Sequence, residues 1–179
     1  MNENSAPVTP PADPVGRILF AIARVTAVAG GVLLTMVAML VVVSVVGRAF
    51  FSRPVPGDFE LVAIGTGVAV FAMLPYCQMT RGNVLVDFFL NKAPVRVKAV
   101  CDFIGNVIFL LAAAFLTWRM VYGGIDMYMA NERSMTVNFP RWTTFPISVV
   151  LMGFLVIVIA YTVWRSIEET RQGRFLDPQ

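Results

Sequence analysis

Apolar positions in this chain gather into four long runs. Val25–Gly47, Leu61–Thr80, Phe103–Trp118 and Trp142–Trp164 extend for 23, 20, 16 and 23 residues without Asp, Glu, Lys, Arg or His. A helix rises about 1.5 Å per residue, so roughly 20 residues cover the hydrocarbon thickness of a bilayer. Lipid offers no hydrogen bonds, and a spanning backbone must satisfy its own N–H and C=O groups as a helix or a closed barrel. Barrel strands would alternate polar and apolar side chains, and these runs do not. The pattern predicts an all-α membrane protein with four transmembrane helices. Four spans take up roughly 85 residues, which leaves short connections and tails and no separate soluble domain.

The segments between the runs divide the chain into a disordered tail over 1–16, one four-helix transmembrane domain over 17–170 and a second tail over 171–179. The first tail holds Pro7, Pro10, Pro11 and Pro14 among small polar residues, with no apolar period. Helical patterning starts near Val15, and Arg17 and Arg24 precede the first run. That run exceeds the roughly 7–15 apolar residues of a signal peptide, so it is expected to remain as an anchor. The first connection, Arg48 to Glu60, contains Pro54, Pro56 and Gly57, which break the helix, and Asp58 is placed to cap the next one. Arg48 ends one helix and Glu60 starts the next at the same membrane level, so the two are expected to form an ion pair.

The second span carries two overlapping pairs of small residues at a spacing of four, Ala63 with Gly67 and Gly65 with Ala69, which suit close helix packing in lipid. Beyond it, Val84 with Phe88 and Leu85 with Phe89 fall on one helical face, and Asp87 with Asn91 on the other. This predicts a short amphipathic interfacial helix between the second and third spans, with Asp87 at the membrane surface. Pro94 can open the third helix, whose apolar pattern reaches about Tyr122. Asn106 is its strongest hydrogen-bonding side chain, and an interhelical bond is its expected role. From Gly123-Gly124 the chain reads as a polar connection. Trp142 and Trp164 then bracket the fourth span as interfacial anchors.

Composition fits a membrane domain, with 58% hydrophobic residues and a mean hydropathy of +0.74. The net charge of +3 would point to nucleic acid in a soluble protein, but here the basic residues sit at helix ends. Nine Lys and Arg fall on the side shared by the termini and the second connection, and five on the other. That bias predicts both termini in the cytoplasm. It also exposes Arg53, Asp126, Glu132 and Arg133 on the outer side, in polar connections suited to a partner that binds and leaves.

Candidate chemistry is sparse. The chain has no histidine, which removes bis-histidine haem anchoring. Cys77 and Cys101 lack the spacing of a metal or redox motif. No nucleophile–base pair or phosphate-binding glycine loop is present, and no metal or cofactor is expected. An ion-coupled carrier keeps ionisable groups near the midplane, and these runs contain none. The chain reads as a non-catalytic membrane partner rather than as an enzyme or a carrier.

Three local patterns support a family comparison. Arg48 closes the first span ahead of Pro56-Gly-Asp-Phe-Glu60-Leu61; Arg81-Gly-Asn83-Val-Leu-Val-Asp87 follows the second; Pro140-Arg-Trp142 and Pro146 open the fourth. In this order, over about Arg17 to Arg165, the chain resembles the small membrane subunit of tripartite ATP-independent periplasmic (TRAP) transporters. Asn83 departs from the histidine common among such relatives. The resemblance implies a bacterial inner-membrane protein that braces a large multi-span permease subunit carrying substrate and sodium. It further implies a periplasmic substrate-binding protein that delivers an organic acid, for which the outer-side residues Arg53, Asp126, Glu132 and Arg133 are the expected docking surface. Two other readings stay open, a self-associating multidrug-type exporter and a membrane anchor of a respiratory enzyme. The missing midplane carboxylate speaks against the first, and the missing histidine against the second.

Overall fold

The computed structural model describes residues 13–53, 55–80, 95–131, 133 and 140–172. Within them run four α-helices: α1 (Pro14–Phe51), α2 (Asp58–Met79), α3 (Val95–Met129) and α4 (Thr144–Gln172), the last preceded by a 3₁₀ turn over Arg141–Thr143. Each contains a window long and apolar enough to cross a membrane. The expected amphipathic helix, with Asp87, lies outside the described residues.

Packing is mainly α1 on α2, α2 on α4 and α4 on α3. The helices therefore stand in the order α1, α2, α4, α3. In α4, 39% of the apolar window is buried, against 11% in α1 and 6% in α3. α4 is thus a central helix, and α1 and α3 form the edges. Phe20, Ala23, Met79, Val158 and Tyr161 join α1, α2 and α4 in one core cluster. Ala113, Met152, Leu155 and Ile159 join α3 to α4 in another, flanked by Phe71 and Leu74 of α2.

The α1–α2 pair runs on a seven-residue seam. Ala23 and Met79 share a core cluster. A Cβ placed on Gly30 would lie 3.1 Å from the Ala72 Cβ, and one on Gly65 would lie 2.5 Å from Val37 Cγ2. Ser44 hydrogen-bonds Asp58. The seam positions are 23, 30, 37 and 44 on α1 against 79, 72, 65 and 58 on α2. A repeat of seven is two turns at 3.5 residues per turn, the spacing at which two helices stay in register along their length. Small residues at these positions let the backbones approach, and in lipid that approach and its dispersion contacts supply the attraction.

α1 ends where the chain curls back over it. Ser52 takes a left-handed conformation (φ 52°), and the Arg53 N–H donates to the Gly47 carbonyl at 3.2 Å. A Cβ on Gly47 would sit 2.8 Å from the Arg53 carbonyl oxygen. Glycine is needed there because the intruding atom is backbone.

Three boundaries differ from the sequence reading, the first being that α1 begins at Pro14, inside the tail expected over 1–16. α3 continues through Gly123-Gly124 to Met129, well past Tyr122. The glycine pair is a packing site: a Cβ on Gly124 would lie 3.0 Å from the Phe145 Cβ, and one on Gly123 3.4 Å from Phe145 Cε1. The first residue of α2 is Asp58, so the N-cap is Gly57 (φ 78°) and the expected Asp58 cap is absent.

Candidate functional site

The structure gathers its notable side chains in three places. The first is a polar corner at the loop end, the end that carries the α1–α2 turn, the C-terminus of α3 and the N-terminus of α4. Ser44 is 2% exposed, and its hydroxyl donates to Asp58 Oδ2 while accepting the Val55 N–H at 3.4 Å. The other Asp58 oxygen accepts the Phe59 N–H at 2.8 Å. Arg48 Nη2 reaches Asp58 Oδ2 at 3.6 Å from a half-exposed position. The ion pair described at this corner is therefore Arg48–Asp58, two positions earlier in α2 than the expected pairing with Glu60. In α2's first turn the carboxylate also meets the positive end of the helix dipole. Together these contacts fasten the end of the α1–α2 seam.

A polar tie toward the opposite end is the second. Gln78, 7% exposed, uses Nε2 to donate to Asn106 Oδ1 on α3 at 2.8 Å and to Thr162 Oγ1 on α4 at 3.0 Å. The Thr162 hydroxyl in turn donates a hydrogen bond to the Ile159 carbonyl at 2.8 Å. One amide nitrogen thus links three helices. In hydrocarbon the alternative would be an unpaired amide, which costs several kcal/mol by rough transfer scales.

The third is an open apolar cleft of about 460 Å³ at the loop end, lined by α2, α3, the 3₁₀ turn and α4. Its wall includes Ala63, Gly67, Phe71, Met120 and Phe145, and Glu60 and Arg141 line it as its charged residues. Space around Gly67 is open, with nothing within 4 Å of an added Cβ. The two small-residue pairs of α2 consequently do different things. Gly65 and Ala69 face α1, where Ala69 is fully buried and its carbonyl lies 2.9 Å from a Cβ built on Gly30. Ala63 and Gly67 face the cleft.

The remaining expected residues are placed separately. Arg53, Asp126 and Arg133 are exposed, Arg53 just past α1, Asp126 in the last turn of α3 and Arg133 bridged to Pro140. Glu132 lies outside the described residues. Trp142 meets Tyr128 edge-on, with ring centroids 5.4 Å apart, and Trp164 lies against Tyr161 at 6.1 Å. Among the described residues no group of His, Cys, Asp and Glu could hold a metal ion. Sequence reasoning missed Ser44, Gln78 and Thr162. Gln78 carried a usable signal, as the single amide side chain in the uncharged second span, whereas a lone Ser or Thr in a membrane helix carries little.

These features define a multi-pass membrane protein whose polar groups fasten helices to one another. The family model for tripartite ATP-independent periplasmic transporters, DctQ component, matches residues 36–169, about three quarters of the chain. The chain belongs to that family and is a component of a membrane transport system. Neither the comparison with curated proteins nor the one with solved structures yields a match.

Proposed function

We propose that this chain is the small, non-catalytic membrane subunit of a sodium-coupled, binding-protein-dependent uptake transporter for organic acids. It sits in the bacterial inner membrane with both termini cytoplasmic, braces the large permease subunit and helps dock the periplasmic substrate-binding protein. Family membership supports the transport role. The observation that carries the bracing role is that the four runs hold no Asp, Glu, Lys, Arg or His, while the polar groups of the interior, Ser44, Gln78 and Thr162, bond to protein. A carrier would keep charged or proton-exchanging groups free to meet its cargo. The edges suit a brace as well. α1 presents Val32, Met36, Met39, Val43, Val46 and Phe50, all exposed and spaced by three or four, to lipid or to a larger partner.

Docking falls to Arg53, Asp126 and Arg133 at the loop end, joined by Glu132. An outer face with mixed charges and little apolar surface fits association that must also release. Reconstitution tests the division of labour. Vesicles containing this chain alone should show no sodium-dependent uptake, and adding the large subunit and the binding protein should restore it. Flux through the isolated chain would defeat the bracing role.

A further inference from the structure

We propose that the outward face of α3 around Arg119 seats a membrane-spanning helix of the large permease subunit, and that this helix brings a carboxylate to the Arg119 guanidinium. The depth of Arg119 follows from the contacts between helices. Gln78 holds Asn106 on α3 and Thr162 on α4 at one level. Gly124 lies against Phe145 at another. Asn106 and Gly124 are 18 residues apart, so the two levels are separated by about 27 Å. Arg119 lies five residues short of Gly124, about 8 Å toward the middle of the bundle. Trp142 stands three residues beyond Phe145 on the other side. Arg119 is therefore about 12 Å beneath Trp142, the interfacial anchor of the fourth span.

That depth is hydrocarbon, where a charged side chain is costly unless it is paired. Basic side chains near helix ends escape by snorkelling. Side chains on a helix lean toward its N-terminus, however, and for α3 that direction leads away from the nearer surface. Arg119 is exposed and has no ion-pair partner among the described residues. It falls on the outer side of α3, away from the buried Ala113, so it serves no path through this chain. Phe115, four residues earlier, and Tyr122, three later, flank it on the same face, and both are exposed. Trp118 meets them edge-on, its ring centroid 6.1 Å from that of Phe115 and 5.5 Å from that of Tyr122. Stacked aromatic rings beside an arginine have the composition of an interface anchor.

Lipid tails offer the guanidinium no acceptor. A second copy of this chain is a poor occupant too. Its four runs contain no Asp or Glu to place at this depth, and a two-fold interface would bring one Arg119 toward the other. Charge complementarity assigns the acid to a different membrane component. This inference rests on the bracing role and names the face and the chemistry through which it works.

The test uses both full-length membrane subunits co-expressed, with the photo-crosslinker benzoylphenylalanine placed at Phe115. Illumination should join this chain to the large subunit, at a peptide with Asp or Glu within one helical turn. Arg119→Leu should lower the large subunit recovered with a tagged chain about tenfold, and Arg119→Lys less than threefold, with the chain's own yield in the membrane unchanged. Arg119→Glu should lose the complex, and changing the crosslinked acid to arginine should restore it. Adducts between two copies of this chain, no protein adduct at all, or full recovery of the complex by Arg119→Leu would each overturn the assignment. Should that happen while the unmodified chain still recovers the large subunit, the bracing role stands without this face. Should the unmodified chain recover none, both fall together.

Discussion

Gly30 and Gly31 are neighbours on α1, and the structure gives them opposite tolerances. A Cβ on Gly30 would lie 2.9 Å from the Ala69 carbonyl oxygen, 3.0 Å from Met73 Cγ and 3.1 Å from the Ala72 Cβ. Met73 can swing aside, but the other two atoms belong to the α2 backbone or are fixed to it. Relief requires α1 and α2 to separate, and overpacking of this kind costs about 1–3 kcal/mol. A Cβ on Gly31 meets nothing within 4 Å. Both substitutions to alanine gain helix propensity, up to about 1 kcal/mol each, so that contribution cancels in the difference between them. Gly30→Ala should therefore be less stable than Gly31→Ala by about 1–3 kcal/mol. Titration of the purified chain in mixed micelles with a denaturing detergent, followed by tryptophan fluorescence, measures that difference. Equal stabilities, or a more stable Gly30→Ala, would refute the seven-residue seam between α1 and α2.

Three further outcomes are expected. A double-mutant cycle between Arg48→Ala and Asp58→Ala should show a weak but measurable coupling, and a larger coupling to Glu60→Ala would move the ion pair to the position expected from the sequence. Gln78→Leu should cost about 0.6–2 kcal/mol in the same detergent titration, and a cycle with Thr162→Val should show coupling; additive effects would mean that the tie does not act as a unit. In a background lacking Cys77 and Cys101, an impermeant thiol reagent applied to intact spheroplasts should label Ser52→Cys and spare Ser5→Cys, and the reverse pattern would invert the topology.

The membrane class was legible from the sequence because it depends on run length against bilayer thickness, which needs no knowledge of neighbours. The four spans follow from that comparison alone. The first connection was equally legible, since Gly57 and the prolines act on their own backbone. Partnership was not. Gly65 and Gly67 are chemically identical and two residues apart, yet one meets Val37 and the other opens onto a cleft. In an apolar span nothing polar marks which face is inward, so periodicity loses the contrast that reveals the core of a soluble helix. The same loss hid the seam of α1, where Ala23, Gly30, Val37 and Ser44 stand among equally apolar residues. Gly123-Gly124 read as a break because glycine lowers helix propensity. Only the approach of Phe145 shows that the missing side chains are room for a neighbouring helix. The tertiary structure likewise decided that Arg48 reaches Asp58 and that Gln78 joins three helices, because each bond depends on how far apart the backbones stand and how they are rotated.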